Sequence, residues 1–298
     1  MRKKRKKLSA FLLLAFAAGC GLMWLVLTKA PEIKELAGRA GRYVERALSR
    51  ERGAGMAPPS VSVRFPPLPK RPDVFPVEPE KPRLAIVIDD LGPNPSLTAE
   101  AIRLPAAVTL SFFPYGPEIG DQVRRAHDAG HEVLLHMPME PLGSADPGPG
   151  ALTTNLQPGE IKARLEKALA GFSGYDGVNN HMGSKFTTDR ARMAVVMETL
   201  GERGLYFLDS RTNPASAGET IARESGVLAA SRHVFLDNDV KPEAVRDKLQ
   251  QAIALARRDG SAIAIGHPHP AVLKVLAAEL FELENQGVVL APVRDLVH

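Results

Sequence analysis

From residue 83 onward the chain alternates between two hydrophobic rhythms. Short, almost unbroken apolar runs recur at LAIVI, AVTLSFF, EVLLHM, GVNNHM, LYFLD, HVFLD, AIAIGH and VVLAPV. Runs rich in branched side chains with little polar alternation read as strands covered on both faces. Between most of them lie stretches with apolar residues three or four apart: PEIGDQVRRAHDAG, QPGEIKARLEKALAGF, TTDRARMAVVMETLGERG and KPEAVRDKLQQAIALARRDG. This is helical spacing, and several of the stretches end in the glycine that often follows a helix. Seven or eight strand-helix units in about 216 residues predict a parallel sheet wrapped by helices, either a closed barrel or a doubly wound sheet.

The first part of the chain has neither rhythm. Six consecutive basic residues, Arg2 to Lys7, precede LSAFLLLAFAAGCGLMWLVLT, about twenty residues without a charge and long enough to cross a bilayer as a helix. The basic flank predicts a cytoplasmic start, with residues 29 to 298 outside the cytoplasmic membrane, facing a periplasm or the exterior. A cleaved secretory signal is the competing reading. The length of the run, and the lack of a small-x-small exit before Lys29, favour an uncleaved single-pass anchor over residues 1 to 28. Residues 29 to 82, with the proline-rich APPSVSVRFPPLPKRPDVFPVEPEKP, read as an extended extracytoplasmic tether. The folded domain is then 83 to 298. Cys20 is the sole cysteine, so no disulfide forms within the chain.

Charge follows the same division. The formal net charge is +4, but up to Pro82 there are 17 Lys and Arg against 7 Asp and Glu, and from Arg83 onward 21 against 27. The basic excess belongs to the tail, and the domain shows no electrostatic footprint for nucleic acid. It also has no phosphate loop, dinucleotide glycine motif or nucleophile elbow, so phosphoryl transfer, hydride transfer and serine-hydrolase chemistry lack their signatures.

In a parallel α/β barrel the chemistry sits at the carboxyl ends of the strands. There the chain places Asp89 and Asp90, Phe113 and Tyr115, His136 and Glu140, His181, Asp209 and Arg211, Asp237 and Asp239, and His267 with His269. A lone histidine at a strand end is most often a hydrogen-bonded structural residue. Several strands delivering a carboxylate or an imidazole to one rim argue for a shared site. Adjacent carboxylates with imidazoles from other strands are the ingredients of a divalent-metal centre, one Asp binding the ion and the other free to accept a proton from water.

The segments IVIDDLG, GHEVLLHMPMEP, GVNNHMGSKFTTD, FLDSRT and AIAIGHPHP, in that order over 84 to 298, resemble the divergent polysaccharide deacetylase family. The resemblance implies a distorted (β/α) barrel with a bound metal, usually zinc, that removes N-acetyl groups from chitin-like or peptidoglycan sugars. Carried over motif by motif, it implies Asp89 as general base, Asp90 and His136 as metal ligands and His267 as general acid. Ordinary deacetylases carry a second histidine four residues after the first, where this chain has Glu140; their arginine-proline-rich third motif is replaced by NNHMGS. Prolines flank Met139 and Glu140, so spacing alone does not put Glu140 on the same side as His136. His181 is the favoured third ligand and Glu140 the alternative. Asp209, Arg211, His269 and Tyr115 are candidates for substrate binding, with a salt bridge between loops as an equal reading for Asp209 and Arg211. The expected function is metal-dependent deacetylation of an envelope glycan. One alternative is a non-catalytic barrel that binds envelope glycan or a partner. Another is a glycoside hydrolase using Asp89 and Asp209, which leaves the histidines without a role.

Overall fold

The computed structural model describes residues 81–298. The predicted anchor, and all but the last two residues of the predicted tether, lie outside the described residues. Among the described residues no helix is long and apolar enough to cross a membrane.

Nine parallel strands form one curled sheet: β1 (Arg83–Leu91), β2 (Thr109–Phe112), β3 (Val133–Met139), β4 (Gly177–Met182), β5 (Tyr206–Asp209), β6 (Ala229–Ser231), β7 (Val234–Phe235), β8 (Ser261–Gly266) and β9 (Val289–Leu290). The helices between them are α1 (Pro95–Ala101), α2 (Ile119–Asp128), α3 (Pro158–Leu169), α4 (Arg190–Gly201), α5 (Gly218–Glu224), α6 (Pro242–Asp259) and α7 (Pro270–Glu279). Local chemistry starts several of them. Asn94 accepts from the Ser96 and Leu97 amides ahead of α1, Asp189 accepts from the Arg192 amide ahead of α4, and prolines open α3, α6 and α7.

The period of two along each strand sorts the core into two layers. Leu84, Ile86 and Ile88 of β1 pack outward with helix residues such as Leu165, Val196 and Leu249. Ala85 and Val87 point into the curl of the sheet, where they meet Leu134, Leu208, Ile263 and Ile265. Ala291, Val293 and Leu296 fill the same interior.

The strand order is β6-β5-β4-β3-β2-β1-β8-β7, with β9 pairing β1 off this path. The expected seven or eight strands are therefore nine, and the sheet is a curled half-barrel with no ladder joining its edges, β6 and β7. Those edges are consecutive pieces of one segment. The Arg232 amide donates to Asp209 O on one side and the His233 amide to Ile263 O on the other, so the chain changes partner there.

At the amino ends of the strands the interior is pinned by one buried carboxylate. Glu132 accepts from the Thr109 and Tyr206 hydroxyls and from the amides of Val293 and Arg294, at 2.6 to 3.0 Å. Glu132→Ala strands these buried donors. It is expected to lower stability by on the order of 3 kcal/mol, measured by denaturant unfolding of the folded chain. An unchanged midpoint would show that water replaces the carboxylate at no cost.

Candidate metal centre

The centre begins with an irregularity in β1. Ile88 pairs with Leu110, but Leu91 pairs with Phe112, so β1 carries one residue more than β2 over this interval. A regular strand would send Asp89 and Asp90 to opposite faces. The bulge, with Asp90 in the left-handed region at φ 59°, turns both to the same side. The loop that follows is closely built against the one after β2. A Cβ on Gly116, itself at φ 145°, would lie 2.7 Å from the backbone of Gly92.

Asp90 Oδ1 lies 3.0 Å from His136 Nε2 and 2.9 Å from His181 Nδ1, and the two ring nitrogens are 3.2 Å apart. His136 comes from within β3 and His181 from β4, in registers two steps apart. Despite these short distances Asp90 Oδ1 is buried with no hydrogen bond of its own. Three ligand atoms about 3 Å apart and converging without mutual hydrogen bonds at the carboxylate fit a cation. Tetrahedral bonds of about 2.0–2.1 Å set ligand atoms roughly 3.3 Å apart. Asp90, His136 and His181 form a group able to hold a metal ion.

Asn179, facing inward from β4, organises this group. His136 Nδ1 donates to its Oδ1 at 2.8 Å, which leaves Nε2 as the free lone pair. The same oxygen accepts from Ser111 Oγ at 2.6 Å, and Nδ2 donates to Asp89 Oδ1 at 2.8 Å. Phe113 sets its ring against both imidazoles, at 5.1 Å from His136 and 4.8 Å from His181.

The two neighbouring carboxylates are held in opposite states. Burial pushes Asp89, which is 2% exposed, upward from the usual carboxylate range, against the pull of His136 and His267. For Asp90 burial acts the same way, but the nearby His136 and His181 outweigh it and hold the carboxyl well below that range.

Across the rim, His267 follows β8. Its Nδ1 faces Asp237 at 3.1 and 3.2 Å, and its amide donates to Asp237 Oδ2 at 2.6 Å. Burial disfavours charge on the ring, yet the Asp237 hydrogen bond and charge, with Asp89 and Asp90 beyond, raise it to about 9. Phe235 stacks on the imidazole, and the Arg232 guanidinium lies 3.6 Å over the Phe235 ring.

Of the other residues singled out in the sequence, Glu140, Asp209, Arg211 and His269 are placed apart from the cluster and Tyr115 adjoins it through Phe113. Glu140 accepts from Lys185 Nζ and from the amide and hydroxyl of Thr154, so its carboxylate ties β3 to neighbouring loops. Asp209 accepts from Ser216 Oγ and from the Arg211 and Glu219 amides, which folds its own loop. Arg211 is exposed, makes no ion pair among the described residues, and takes φ 45°. Its backbone oxygen accepts from Arg232. No Asp209–Arg211 side-chain salt bridge is present among the described residues. His269 is exposed ahead of α7, its ring 6.4 Å from that of His267. Tyr115 stacks on Phe113 at 5.0 Å. Sequence reasoning assigned no role to Asn179, Ser111 or Asp237. Asn179 carried a usable signal: it stands two residues before His181, so it shares the inward face of β4.

Comparison with known proteins places the fold and the motifs together. The uncharacterized protein YibQ of Escherichia coli is 39% identical over 201 residues, 67% of this chain and 63% of the relative. The chain therefore spans less than two thirds of that relative's length. An uncharacterized protein of Haemophilus influenzae is 37% identical over 201 residues, 67% of this chain and 72% of its own. The crystal structure of an uncharacterized protein from Agrobacterium tumefaciens, 30% identical, matches with a TM-score of 0.72 over 74% of this chain and 91% of that one. A family model described as divergent polysaccharide deacetylase matches residues 86–297.

If the convergent atoms are ligands, elemental analysis of the purified full chain should find about one divalent ion per molecule. His181→Ala and Asp90→Asn are expected to lose it and Glu140→Gln to retain it. Asn179→Ala, which frees the His136 ring, is expected to weaken the metal by about 10- to 100-fold. Metal retained in His181→Ala and lost in Glu140→Gln would exchange their roles.

Proposed function

The chain belongs to the divergent polysaccharide deacetylase family, and from that premise we propose that it is a metal-dependent hydrolase that removes N-acetyl groups from cell-envelope glycan. The observation that carries the reading is the meeting, on one rim, of the buried and unbonded Asp90 Oδ1 with two imidazoles, beside a second buried carboxylate. Two imidazoles and one carboxylate are a donor set that zinc takes in catalytic sites. Asp90, His136 and His181 would hold a divalent ion, which would supply a Lewis acid for the acetamide carbonyl and make water a nucleophile near neutral pH.

The chain's own residues move the protons. Asp89, fixed by the Asn179 amide and raised by burial, accepts the proton of the attacking water. As the C–N bond breaks, His267 gives its proton to the leaving amine nitrogen, and acetate and the free amino sugar result. Asp237 keeps that imidazole charged before the step and orients it through Nδ1. The glycosidase reading has less support, because Asp209 is engaged by three donors from its own loop. The basic cluster and apolar run of residues 1 to 28 support a location on the outer face of the cytoplasmic membrane, with the domain held there by the tether.

Asp89→Asn should keep the metal while lowering acetate release by about 100- to 10,000-fold. No acetate from N-acetylated chito-oligosaccharides or peptidoglycan fragments with metal-loaded wild type would overturn the deacetylase reading.

A second expectation concerns pH. His267 is a competent acid below about 9, so activity should fall as pH rises through that value. The folded value lies above the ordinary imidazole value of about 6.5, so the stabilisation from the pair is whole below about 6.5 and is lost as pH rises through about 9. In Asp237→Asn the alkaline limb of the rate profile should move to lower pH. An unmoved limb would assign it to another group.

A further inference from the structure

Beside the cluster, on the helix side of the sheet, lies a cavity of about 440 Å³ between the loop after β2, the outward-facing Met137 of β3, and α3, with Pro149 and Gly150 at one side. This is the size of a small-ligand site. Tyr115 links the cavity to the cluster: it lines the cavity and stacks on Phe113, whose ring touches both imidazoles. Burial, with the charges of Asp90 and Asp146, raises the Tyr115 phenol, which keeps its hydroxyl a donor.

The charge of this cavity differs from its surroundings. Arg164 and Lys167 both line it, three residues apart and so on one face of α3, and no carboxylate does. Other cations on α3 and α4 and nearby loops are paired, Lys162 with Glu202, Lys185 with Glu140 and Arg190 with Glu224. Among the described residues neither Arg164 nor Lys167 has such a partner. Arg164 is instead held by Ala151 O at 2.6 Å, which fixes one arm of the guanidinium and leaves the rest to a ligand. From Arg83 onward the chain has 27 acidic residues against 21 basic ones, so this is a local pair suited to one anion and not to a polyanion.

We propose that this cavity is a subsite for a carboxylate-bearing sugar next to the one whose acetamide reaches the cluster. The Tyr115 ring, half-buried at the edge of the cavity, meets a sugar face, and the Arg164 fork with Lys167 takes the carboxylate. The identity of the ligand as a glycan rests on the deacetylase reading.

The test uses metal-loaded full chain, a neutral N-acetylglucosamine oligomer, and an oligomer of equal length with a carboxylate on alternate sugars. Wild type is expected to favour the acidic oligomer in kcat/KM by about 10-fold or more. The double variant Arg164→Gln/Lys167→Gln should bring the ratio to about one, and Lys248→Gln, on α6 and outside the cavity, should leave it as in wild type. No preference in wild type, or one that survives the double variant, overturns the subsite. If neither oligomer releases acetate, the deacetylase reading fails by itself, and calorimetric titration of both oligomers then decides the subsite. Tighter binding of the acidic oligomer that the double variant loses upholds it; equal binding, or none, overturns it.

Discussion

The bulge between Ile88 and Leu91 breaks the β1–β2 ladder and holds Asp90 in a left-handed conformation, and the rim is arranged around what this distortion yields. Two carboxylates side by side repel, and a regular strand would relieve the repulsion by sending them to opposite faces. Here they stay on one side but in different surroundings. Asp89 is sealed from water and bonded to an amide, and Asp90 faces two imidazoles. The strain of a left-handed non-glycine residue, on the order of 1 kcal/mol, is sustained because the surrounding sheet leaves Asp90 no other course.

Asn179 translates this distortion into acid–base order. Its oxygen takes the proton side of His136 and its nitrogen takes a lone pair of Asp89, so one amide dictates which imidazole nitrogen is bare and where the neighbouring carboxylate points. A carboxylate in its place could not donate to Asp89, and a lysine could not accept from His136. On the other side of the rim Asp237 treats His267 in the opposite sense, holding a proton on it. Groups with separated proton affinities are thereby kept on one surface, a pattern that suits hydrolysis at neutral pH.

Much of this was legible from the chain because parallel strands buried on both faces leave nearly pure apolar runs, and β1, β3 and β8 show them. The rim residues were legible because each stands at the end of such a run. Spacing could not choose between Glu140 and His181, since prolines surround Glu140; the fold places His181 in the cluster and gives Glu140 to Lys185 and Thr154. The bulge left no mark, because an extra residue in one strand is defined only against its neighbour. Nor did β6, three residues too short to stand out as an apolar run ahead of HVFLD, although Arg232 and His233 bond to opposite edges. Asn179 was passed over because an amide has no charge to attract notice, although its face was predictable.

The pin at Glu132 bears on how such a domain is made. Its carboxylate waits for amides 161 and 162 residues further along, and Thr109 for one 184 residues away. Until Val293 and Leu296 have been synthesised, the interior of the sheet lacks part of its filling and Glu132 two of its four donors. Contacts of such sequence separation form late and slowly. Most of the strands are therefore made before the interior is complete, and that interior closes only when the segment around Val293 has been added.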